Sequence, residues 1–212
     1  MKEKQRAVNC FPALERKMTN VKENYLGDAA HRLHDPGGKV RINLPDGVRG
    51  GATFSPCGRY RQVLTRDWTP EEAKPRTIMF VGQNPSIATA DVSDPTCDRE
   101  LGFARRWGFT RYVKTNMLDW RATEPKNVPQ DPELACSSEN LPAILREAEG
   151  VEEVLLAYGK LHKRFAPIVD ETLRALRKAG KPLYCLKLNK DGSAGHPLYI
   201  SSTTDRFPFP EA

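Results

Sequence analysis

The sequence predicts an α/β fold, and three features of residues 77–188 carry this prediction. Short apolar runs alternate with segments that have the periodicity of amphipathic helices. Each run ends in a loop rich in Gly, Asn or Pro. Strands that alternate with helices pair in parallel through right-handed crossovers. We therefore expect a three-layer α/β/α sandwich around a central four-stranded, mainly parallel sheet.

Two further segments precede this core. Residues 1–35 predict a charged, weakly amphipathic helical extension, and the Gly- and Pro-rich stretch 35–51 predicts a loop. The stretch "GATFSPCGRYRQVLTRDW" (51–68) predicts a β-hairpin that turns at Pro56-Cys57-Gly58. We place the N-terminal extension and loop at 1–50 and the α/β domain at 51–212, with its core at 77–212.

The elements of the core follow from the same pattern. Strands are predicted at "TIMFVG" (77–82), "YVKTN" (112–116), "EEVLLAYG" (152–159) and "PLYCLKL" (182–188). Helices are predicted at 97–108, from Asn140 as N-cap, and at 162–180 with Gly180 as the stop. In parallel sheets the ligand crevice lies beyond the carboxyl ends of the strands. Those ends carry the polar stretches "GQNPS", "TNMLDWRAT", "AYGK" and "LNKDGSAGHP".

Composition limits the class of protein. Of the 212 residues, 39% are hydrophobic and 28% charged, which allows a sizeable core and argues against wholesale disorder. No apolar run is long enough to span a membrane, and the N-terminus "MKEKQRAVNC" is polar. We expect a cytoplasmic protein with no membrane partner and no obligate protein partner.

Cysteine and histidine usage bears on metals. The five cysteines form no CxxC pair, which favours reduced thiols over a disulfide framework or a compact zinc ribbon. His31 and His34, with Asp28 one turn earlier, have a spacing that could hold a metal. The polar face of a weak helix explains the same spacing. We expect no metal and no other cofactor.

The net charge of +6 favours a polyanionic partner without proving one. The basic residues cluster in "ARRWG" (104–108), "KLHKR" (160–164) and "RALRKAGK" (174–181). A solvated helix face accounts for the last of these clusters.

The polar stretches at the strand ends resemble the motifs of the uracil-DNA glycosylase superfamily, nearest its mismatch-specific and thymine-DNA branch. The resemblance covers about residues 77–212, and the motifs occur in the order of the family. They are Gly82-Gln83-Asn84-Pro85-Ser86 after the first strand, Asn116 and Arg121 after the second, Tyr158-Gly159 after the third, and His196-Pro197 after the fourth. Residues 54–200 are also similar to a bacterial and phage family described only as a domain of unknown function.

This resemblance implies hydrolysis of a base–sugar bond in DNA, with the target nucleotide flipped out of the stack. Asn84 would orient the attacking water, since an amide has no useful pKa for general-base work. His196, as a neutral imidazole, would donate a hydrogen bond to the departing base. Asp91 or Asp94 could instead supply the base or a negative charge beneath the sugar. Asp94 also suits the N-cap of the following helix.

The resemblance also assigns the contacts with substrate and DNA. Asn116 would read the base edge through its amide. The turn would shape the base pocket, and Arg121 would either tie down its loop or meet a phosphate. The remaining assignments are pocket contacts from Gly82, Gln83, Pro85, Ser86 and Asp94, phosphate contacts from Lys160, and DNA contacts from Pro197, Leu198 and Tyr199, of which Tyr199 could fill the emptied stack. Strand packing or ordinary loop hydrogen bonding would explain many of the same residues.

Ser86 bears on the substrate. Uracil-selective relatives place a bulky aromatic residue soon after the Pro, which blocks any group on C5 of the pyrimidine, whereas Ser86 leaves room there. We expect a monofunctional DNA glycosylase for C5-modified pyrimidines, with phage DNA carrying glucosylated hydroxymethylcytosine as the candidate partner. Two alternatives stay open: a binding module with a glycosylase fold, and a hydrolase or transferase of free nucleotides.

Overall fold

The computed structural model describes residues 36–37 and 40–211. The helical extension expected over residues 1–35 lies outside the described residues, and so do Asp28, His31 and His34 of the alternative metal site.

Most strands of the described residues join one mixed sheet. Its strand order is β2-β3-β6-β4-β7-β8-β9, and a separate antiparallel pair is formed by β1 and β5. The strands are β1 (Ile42–Asn43), β2 (Arg49–Phe54), β3 (Arg61–Asp67), β4 (Thr77–Gly82), β5 (Val92–Ser93), β6 (Arg111–Asn116), β7 (Glu153–Leu156), β8 (Leu183–Cys185) and β9 (Phe207–Pro208).

The four predicted core strands form a parallel block at the centre of this sheet, in the order β6-β4-β7-β8. The expected size of the sheet is nevertheless wrong, because seven strands of mixed direction pair in it. β3 adds antiparallel to β6, and β9 adds antiparallel to β8. Both additions cover an edge of the parallel block whose backbone groups would otherwise lack partners. The predicted hairpin is confirmed as the antiparallel pair β2 and β3.

Helices pack on both faces of the sheet. They are α1 (Pro95–Arg106), α2 (Pro132–Ala135), α3 (Asn140–Glu149) and α4 (Ala166–Lys178). One core cluster joins residues of α3 and α4 to alternate positions of β4 such as Met79 and Val81. The other joins residues of α1 to the intervening positions Ile78 and Phe80. All six residues of β4 are buried, as its unbroken apolar run predicts for a strand covered on both faces.

The start of α3 differs from the prediction. Asn140 is the first residue of the helix and not its cap, and its Nδ2 donates to the carbonyl oxygens of Asn116 and Met117 at 3.0 Å each. Asn140 thus lies one residue inside the helix, and its side chain bonds backbone carbonyls at the end of β6. The contact fixes the loop after β6 against α3.

Candidate functional site

A cleft of about 720 Å³ lies at the carboxyl ends of the parallel strands. The segments that follow β4, β6, β7 and β8 line it, together with the first residues of α1. This is the edge at which open parallel sheets bind their ligands. Its lining residues are Gln83, Asn84, Ser86, Asp94, Pro95, Thr96, Ala122, Thr123, Pro125, Gly159, Lys160, Lys187, Asn189, Lys190, Asp191, Gly195, His196, Leu198, Tyr199 and Ile200.

The turn after β4 is held by hydrogen bonds to the segment after β6. The N–H groups of Met117 and Leu118 donate to the carbonyl oxygens of Gly82 and Gln83, at 2.9 Å each. The N–H of Ala122 donates to the carbonyl oxygen of Pro85 at 2.8 Å. A turn bonded at three carbonyls to a neighbouring segment presents its side chains in a fixed direction.

The side chain of Asn84 is oriented by the same segment. Its Nδ2 donates to the carbonyl oxygen of Ala122 at 2.7 Å and to that of Pro85 at 3.0 Å. Both amide protons are therefore used by the protein. Because Nδ2 is engaged in this way, Oδ1 is the atom of the amide that can accept a hydrogen bond from a molecule in the cleft.

His196 reaches the cleft from the turn after β8. Its Nδ1 accepts a hydrogen bond from the N–H of Leu198 at 3.3 Å. The proton of the neutral ring is therefore on Nε2, which can donate. Burial lowers the pKa of His196 from 6.5 to about 4; the nearby ammonium of Lys114 acts in the same direction, and the carboxylate of Asp94 opposes it. The imidazole is thus uncharged at neutral pH.

Gly159 allows the turn that carries His196 to lie close to the end of β7. It has a φ of +65°, and a Cβ at this position would lie 3.2 Å from the Cβ of His196. Its N–H donates to the carbonyl oxygen of Ala194 at 2.9 Å. A glycine tolerates both the left-handed backbone and the close contact. The end of β7 thereby fixes the position of the histidine turn.

The residues after His196 form the rim of the cleft. Pro197–Tyr199 is a short 3₁₀ turn in which Pro197 is buried. Leu198 and Tyr199 line the cleft, and Tyr199 is 86% exposed. The rings of His196 and Tyr199 lie 5.6 Å apart between centroids. An aromatic ring this exposed beside a cleft offers a flat surface on which a base can stack.

Asp94 both lines the cleft and caps α1. Its Oδ1 accepts a hydrogen bond from the N–H of Cys97 at 2.8 Å, and the residue is buried. The expectation of a cap is confirmed. One carboxylate oxygen is therefore committed to the helix.

Ser86 lies on the wall of the cleft. Its Oγ is 3.1 Å from the Oγ1 of Thr123, and either hydroxyl can be the donor. Both residues line the cleft. This part of the wall consists of two small side chains that carry hydroxyl groups.

Lysine side chains surround the mouth of the cleft. Lys160, Lys187 and Lys190 line it and are exposed, and Asp191 is the acidic residue beside them. The Nζ of Lys160 lies 3.9 Å from an oxygen of Asp191. Exposed ammonium groups at a cleft mouth attract phosphate.

Six of the proposed site residues do not line the cleft: Asp91, Arg121, Asn116, Gly82, Pro85 and Pro197. Asp91 is exposed on the loop before β5, so its proposed role as base loses its support. Arg121 is buried: its guanidinium donates to the carbonyl oxygen of Gly58 at 2.8 Å and lies 4.8 Å from the ring of Phe54. It ties the loop to the hairpin, which was one of the two expected roles, and it does not meet a phosphate on the surface.

Asn116 is the third. It is 1% exposed at the end of β6, and the structure gives its side-chain oxygen and nitrogen no partner among the described residues. A Cβ at Gly82 would lie 2.7 Å from its Oδ1, so the amide packs directly beneath the turn after β4. Gly82, Pro85 and Pro197 likewise shape the site through their backbone and are not part of the cleft surface.

Several residues that line the cleft are not among those predicted from the sequence. Thr123, Lys187, Asn189, Lys190 and Asp191 line the cleft but were not singled out. All except Lys187 fall in the polar stretches that follow the strands. Their location at strand ends therefore indicated that they could face the cleft. Which members of a stretch face the cleft depends on the path of the loop, which the stretch itself does not specify.

A second groove, of about 1000 Å³, adjoins the cleft and shares Lys160 and Asp191 with it. It is larger, but neither Asn84 nor His196 lines it. Among the residues that the structure describes, no three His, Cys, Asp or Glu side chains are grouped to hold a metal ion. Within the same ranges, no helix is both long and apolar enough to cross a membrane.

Comparison with the curated proteins gives no match, and comparison with the solved structures gives none either. The model of one protein family matches residues 59–198. That range begins at the hairpin turn and ends in the histidine turn, so it contains all four strands of the parallel block and both turns that carry Asn84 and His196. With more than half of its length matched, the chain belongs to the family described as "Protein of unknown function (DUF1643)".

Proposed function

We propose that this protein is a monofunctional DNA glycosylase that hydrolyses the N-glycosidic bond of a flipped, C5-modified pyrimidine and leaves an abasic site. The observation that carries the proposal is that Asn84 and His196 line one cleft, although 112 positions separate them in the sequence. Their available atoms are complementary. Asn84 offers the acceptor Oδ1, and His196 offers the donor Nε2.

The proposed reaction uses these two atoms in turn. The bond between C1′ of the sugar and the ring nitrogen breaks, and its electron pair leaves with the base. The carbonyl oxygen of the base, on which negative charge develops, accepts a hydrogen bond from the Nε2–H of His196, and that proton stays on the imidazole. A water held by Oδ1 of Asn84 then adds to C1′ and releases its proton, which the departed base takes up. An oxocarbenium-like sugar is a strong electrophile, so orientation of the water suffices.

The surroundings of the cleft support a DNA substrate. Exposed lysines at its mouth suit the phosphates on either side of the flipped nucleotide. Tyr199 suits the gap that the nucleotide leaves in the stack. The parallel block with helices on both faces is compatible with the three-layer sandwich that the resemblance to the uracil-DNA glycosylase superfamily implies.

The substrate class rests on the cleft wall beside Ser86. The small pair Ser86 and Thr123 leaves space next to C5, and their hydroxyl groups can bond a polar substituent. Hydroxymethylated and glucosylated cytosines, as found in phage DNA, are therefore the proposed substrates, and antiviral defence is the corresponding role in a cytoplasmic protein.

Incubation with defined DNA tests the proposal. Duplexes and single strands that contain uracil, hydroxymethylcytosine or glucosylated hydroxymethylcytosine are treated with the protein, and abasic sites are measured by alkaline strand cleavage. We expect abasic sites on the modified substrates. Absence of abasic sites on every substrate would overturn the enzyme assignment, and cleavage of uracil alone would overturn the argument from Ser86.

The Asn84→Ala variant tests the proposed role of the amide. We expect product formation to fall by about 10²-fold while DNA affinity is kept, because the water loses its orientation and the phosphate contacts do not change. Asn127→Ala is the matched control, since Asn127 is exposed and outside the cleft. Equal activity of Asn84→Ala and the wild type would contradict the mechanism.

A second candidate is a module that binds modified bases without turnover. The observation that favours it is the amide at the water-holding position, where a carboxylate would be the stronger catalyst. Tight, salt-sensitive binding to modified DNA with no abasic product would support this candidate. Hydrolysis of free nucleotides with little affinity for DNA would instead indicate the nucleotide-directed alternative.

A further inference from the structure

Two arginines of β3 are buried against the linking loop, residues 87–93, which joins the turn of Asn84 to α1. Arg61 and Arg66 are 1% and 0% exposed. Among the residues that the structure describes, every acceptor for their guanidinium groups is a backbone carbonyl oxygen. Removal of a cation from water is unfavourable unless hydrogen bonds replace its hydration. The role of these side chains therefore lies in the backbone that they bind.

Most of that backbone belongs to the linking loop. Nη2 of Arg66 donates to the carbonyl oxygens of Thr89 and Val92, at 2.8 and 2.9 Å. The N–H of Thr89 also donates to the carbonyl oxygen of Val92, at 2.8 Å, so the guanidinium spans a turn of the loop. Nη1 of Arg61 donates to the carbonyl oxygen of Ala88 at 2.7 Å. Side chains of the hairpin thus bind three carbonyl oxygens of the loop.

The hairpin also leaves space for the linking loop. A Cβ at Gly50, in β2, would lie 1.8 Å from the carbonyl oxygen of Ala90 and 2.9 Å from Nη1 of Arg66. Glycine therefore lets the loop and the guanidinium lie this close to the strand. Ala88 of the loop belongs to one apolar cluster with residues of β2, β3 and α1. Hydrogen bonds and packing act together to hold the loop on the hairpin.

Both ends of the linking loop lie in the cleft. Ser86 precedes the loop and Asp94 follows it, and both residues line the cleft. The amide of Asn84 is held separately, because its Nδ2 donates to the carbonyl oxygens of Ala122 and Pro85. Release of the loop from the hairpin would therefore change the spacing of the cleft walls and leave the amide oriented.

We propose that Arg66, assisted by Arg61, is a positioning residue for the cleft: its guanidinium holds the linking loop and thereby sets the distance between the wall at Ser86 and the wall at Asp94. The hairpin contributes none of the residues that line the cleft, and it acts on the site through this loop. The consequence for the space around a C5 substituent rests on the proposed function, whereas the hold on the loop rests on the hydrogen bonds.

Hydrogen–deuterium exchange tests the hold on the loop without any substrate. In Arg66→Met an apolar side chain replaces the donors, so the carbonyl oxygens of Thr89 and Val92 lose their partner. We expect amide exchange in residues 87–93 to become about 10-fold faster or more. Exchange in β4 should stay as in the wild type, because the opening is local.

A second variant and a matched control accompany it. Gly50→Ala changes no charge and no donor, but its Cβ would collide with the carbonyl oxygen of Ala90, so it should raise exchange in the same loop. Arg49→Met is the control. Arg49 is an exposed arginine of the same hairpin, and its hydrogen bonds go to β3 and the residues that follow it. Its removal should leave exchange in the loop unchanged.

The result for Arg66→Met decides. Loop exchange at the wild-type rate, or exchange raised equally in the loop and in β4, would overturn the proposal. Should this variant not fold, Gly50→Ala decides in its place by the same two criteria.

Kinetics on the substrates of the proposed function test the consequence for the cleft. In Arg66→Met we expect KM for a glucosylated substrate to rise about 10-fold while kcat changes less, because Asn84 keeps its own hydrogen bonds. A loss of folded protein would instead lower the apparent kcat and leave KM unchanged.

The two measurements separate this inference from the proposed function. Faster loop exchange in a protein whose wild type forms no abasic sites would uphold the hold of Arg66 on the loop and reject the glycosylase. Faster loop exchange in an active enzyme with the wild-type KM would overturn the role of Arg66 in positioning the cleft walls.

Discussion

At the scale of single residues, the direction of one amide decides what the cleft can do. The Nδ2 of Asn84 donates to the carbonyl oxygens of Pro85 and Ala122, so Oδ1 is the atom left to accept a hydrogen bond in the cleft. The Nδ1 of His196 accepts a hydrogen bond from the N–H of Leu198, which leaves Nε2 as the donor. One acceptor and one donor thus remain in the same cleft, and the proposed hydrolysis of a base–sugar bond uses both.

The Ser86→Tyr variant tests the substrate class at this scale. A tyrosine at this position would fill the space beside Thr123, so we expect activity on glucosylated cytosine to fall about 10-fold or more. Activity on an unsubstituted pyrimidine should fall less, because that base does not need the space. The ratio of kcat/KM for the two substrates is the measurement. Ser86→Ala is the control, and a ratio that is equal in all three proteins would contradict the assignment of this wall.

At the scale of elements, the first turn of α1 serves two purposes. Asp94 caps the helix, and Pro95 and Thr96 continue the cleft wall. The helix also carries Glu100, which holds Lys114 in the sheet. A shift of α1 along its axis would therefore change the cleft wall and the buried charge together.

Substitution of Asp94 separates its capping role from any role in binding. Asp94→Ala should lower the free energy of unfolding by about 1 kcal/mol, because the N–H of Cys97 loses its partner. Asp94→Asn keeps a capping side chain and should be close to the wild type in stability. Denaturant unfolding measures both, with Asp98→Ala as the control, because Asp98 is an exposed acidic residue of the same first turn. Equal stability of Asp94→Ala and wild type would contradict the cap; lower DNA affinity of Asp94→Asn would indicate a contact with substrate.

At the scale of the whole molecule, positive charge is exposed at the mouth of the cleft. The net charge is +6, and Lys160, Lys187 and Lys190 all line that mouth. Phosphate contacts release counterions from DNA, so their number determines how steeply affinity falls with salt. The position of these lysines predicts a salt-sensitive complex.

Salt titration of DNA affinity measures these contacts. The Lys160→Ala/Lys187→Ala/Lys190→Ala variant should bind duplex DNA more weakly at low salt. Its slope of log Kobs against log salt should be shallower by about 0.9 for each phosphate contact that is lost. Lys74→Ala is the control, since Lys74 is exposed and precedes β4 at the opposite end of the strand. A slope unchanged in the triple variant would place the DNA elsewhere on the surface.

The sequence by itself determined the parallel block, the hairpin and the polar strand ends. Each follows from a local pattern: an unbroken apolar run such as "TIMFVG", a Pro-Cys-Gly turn, or a Gly-Gln-Asn-Pro step after a strand. Hydrophobic periodicity and turn chemistry act between neighbours in the chain, so these features can be recognised without coordinates.

Only the tertiary structure decided the rest. It extended the sheet to seven strands, placed Asp91 outside the cleft, buried Asn116 and Arg121, and paired Lys114 with Glu100. A local sequence pattern predicts none of these features. Lys114 and Glu100, for example, are charged residues that a local pattern places on the solvent side, and they are buried only because the strand and the helix pack together. Burial and long-range pairing depend on segments far apart in sequence, and the charge state and direction of a site's side chains follow from them.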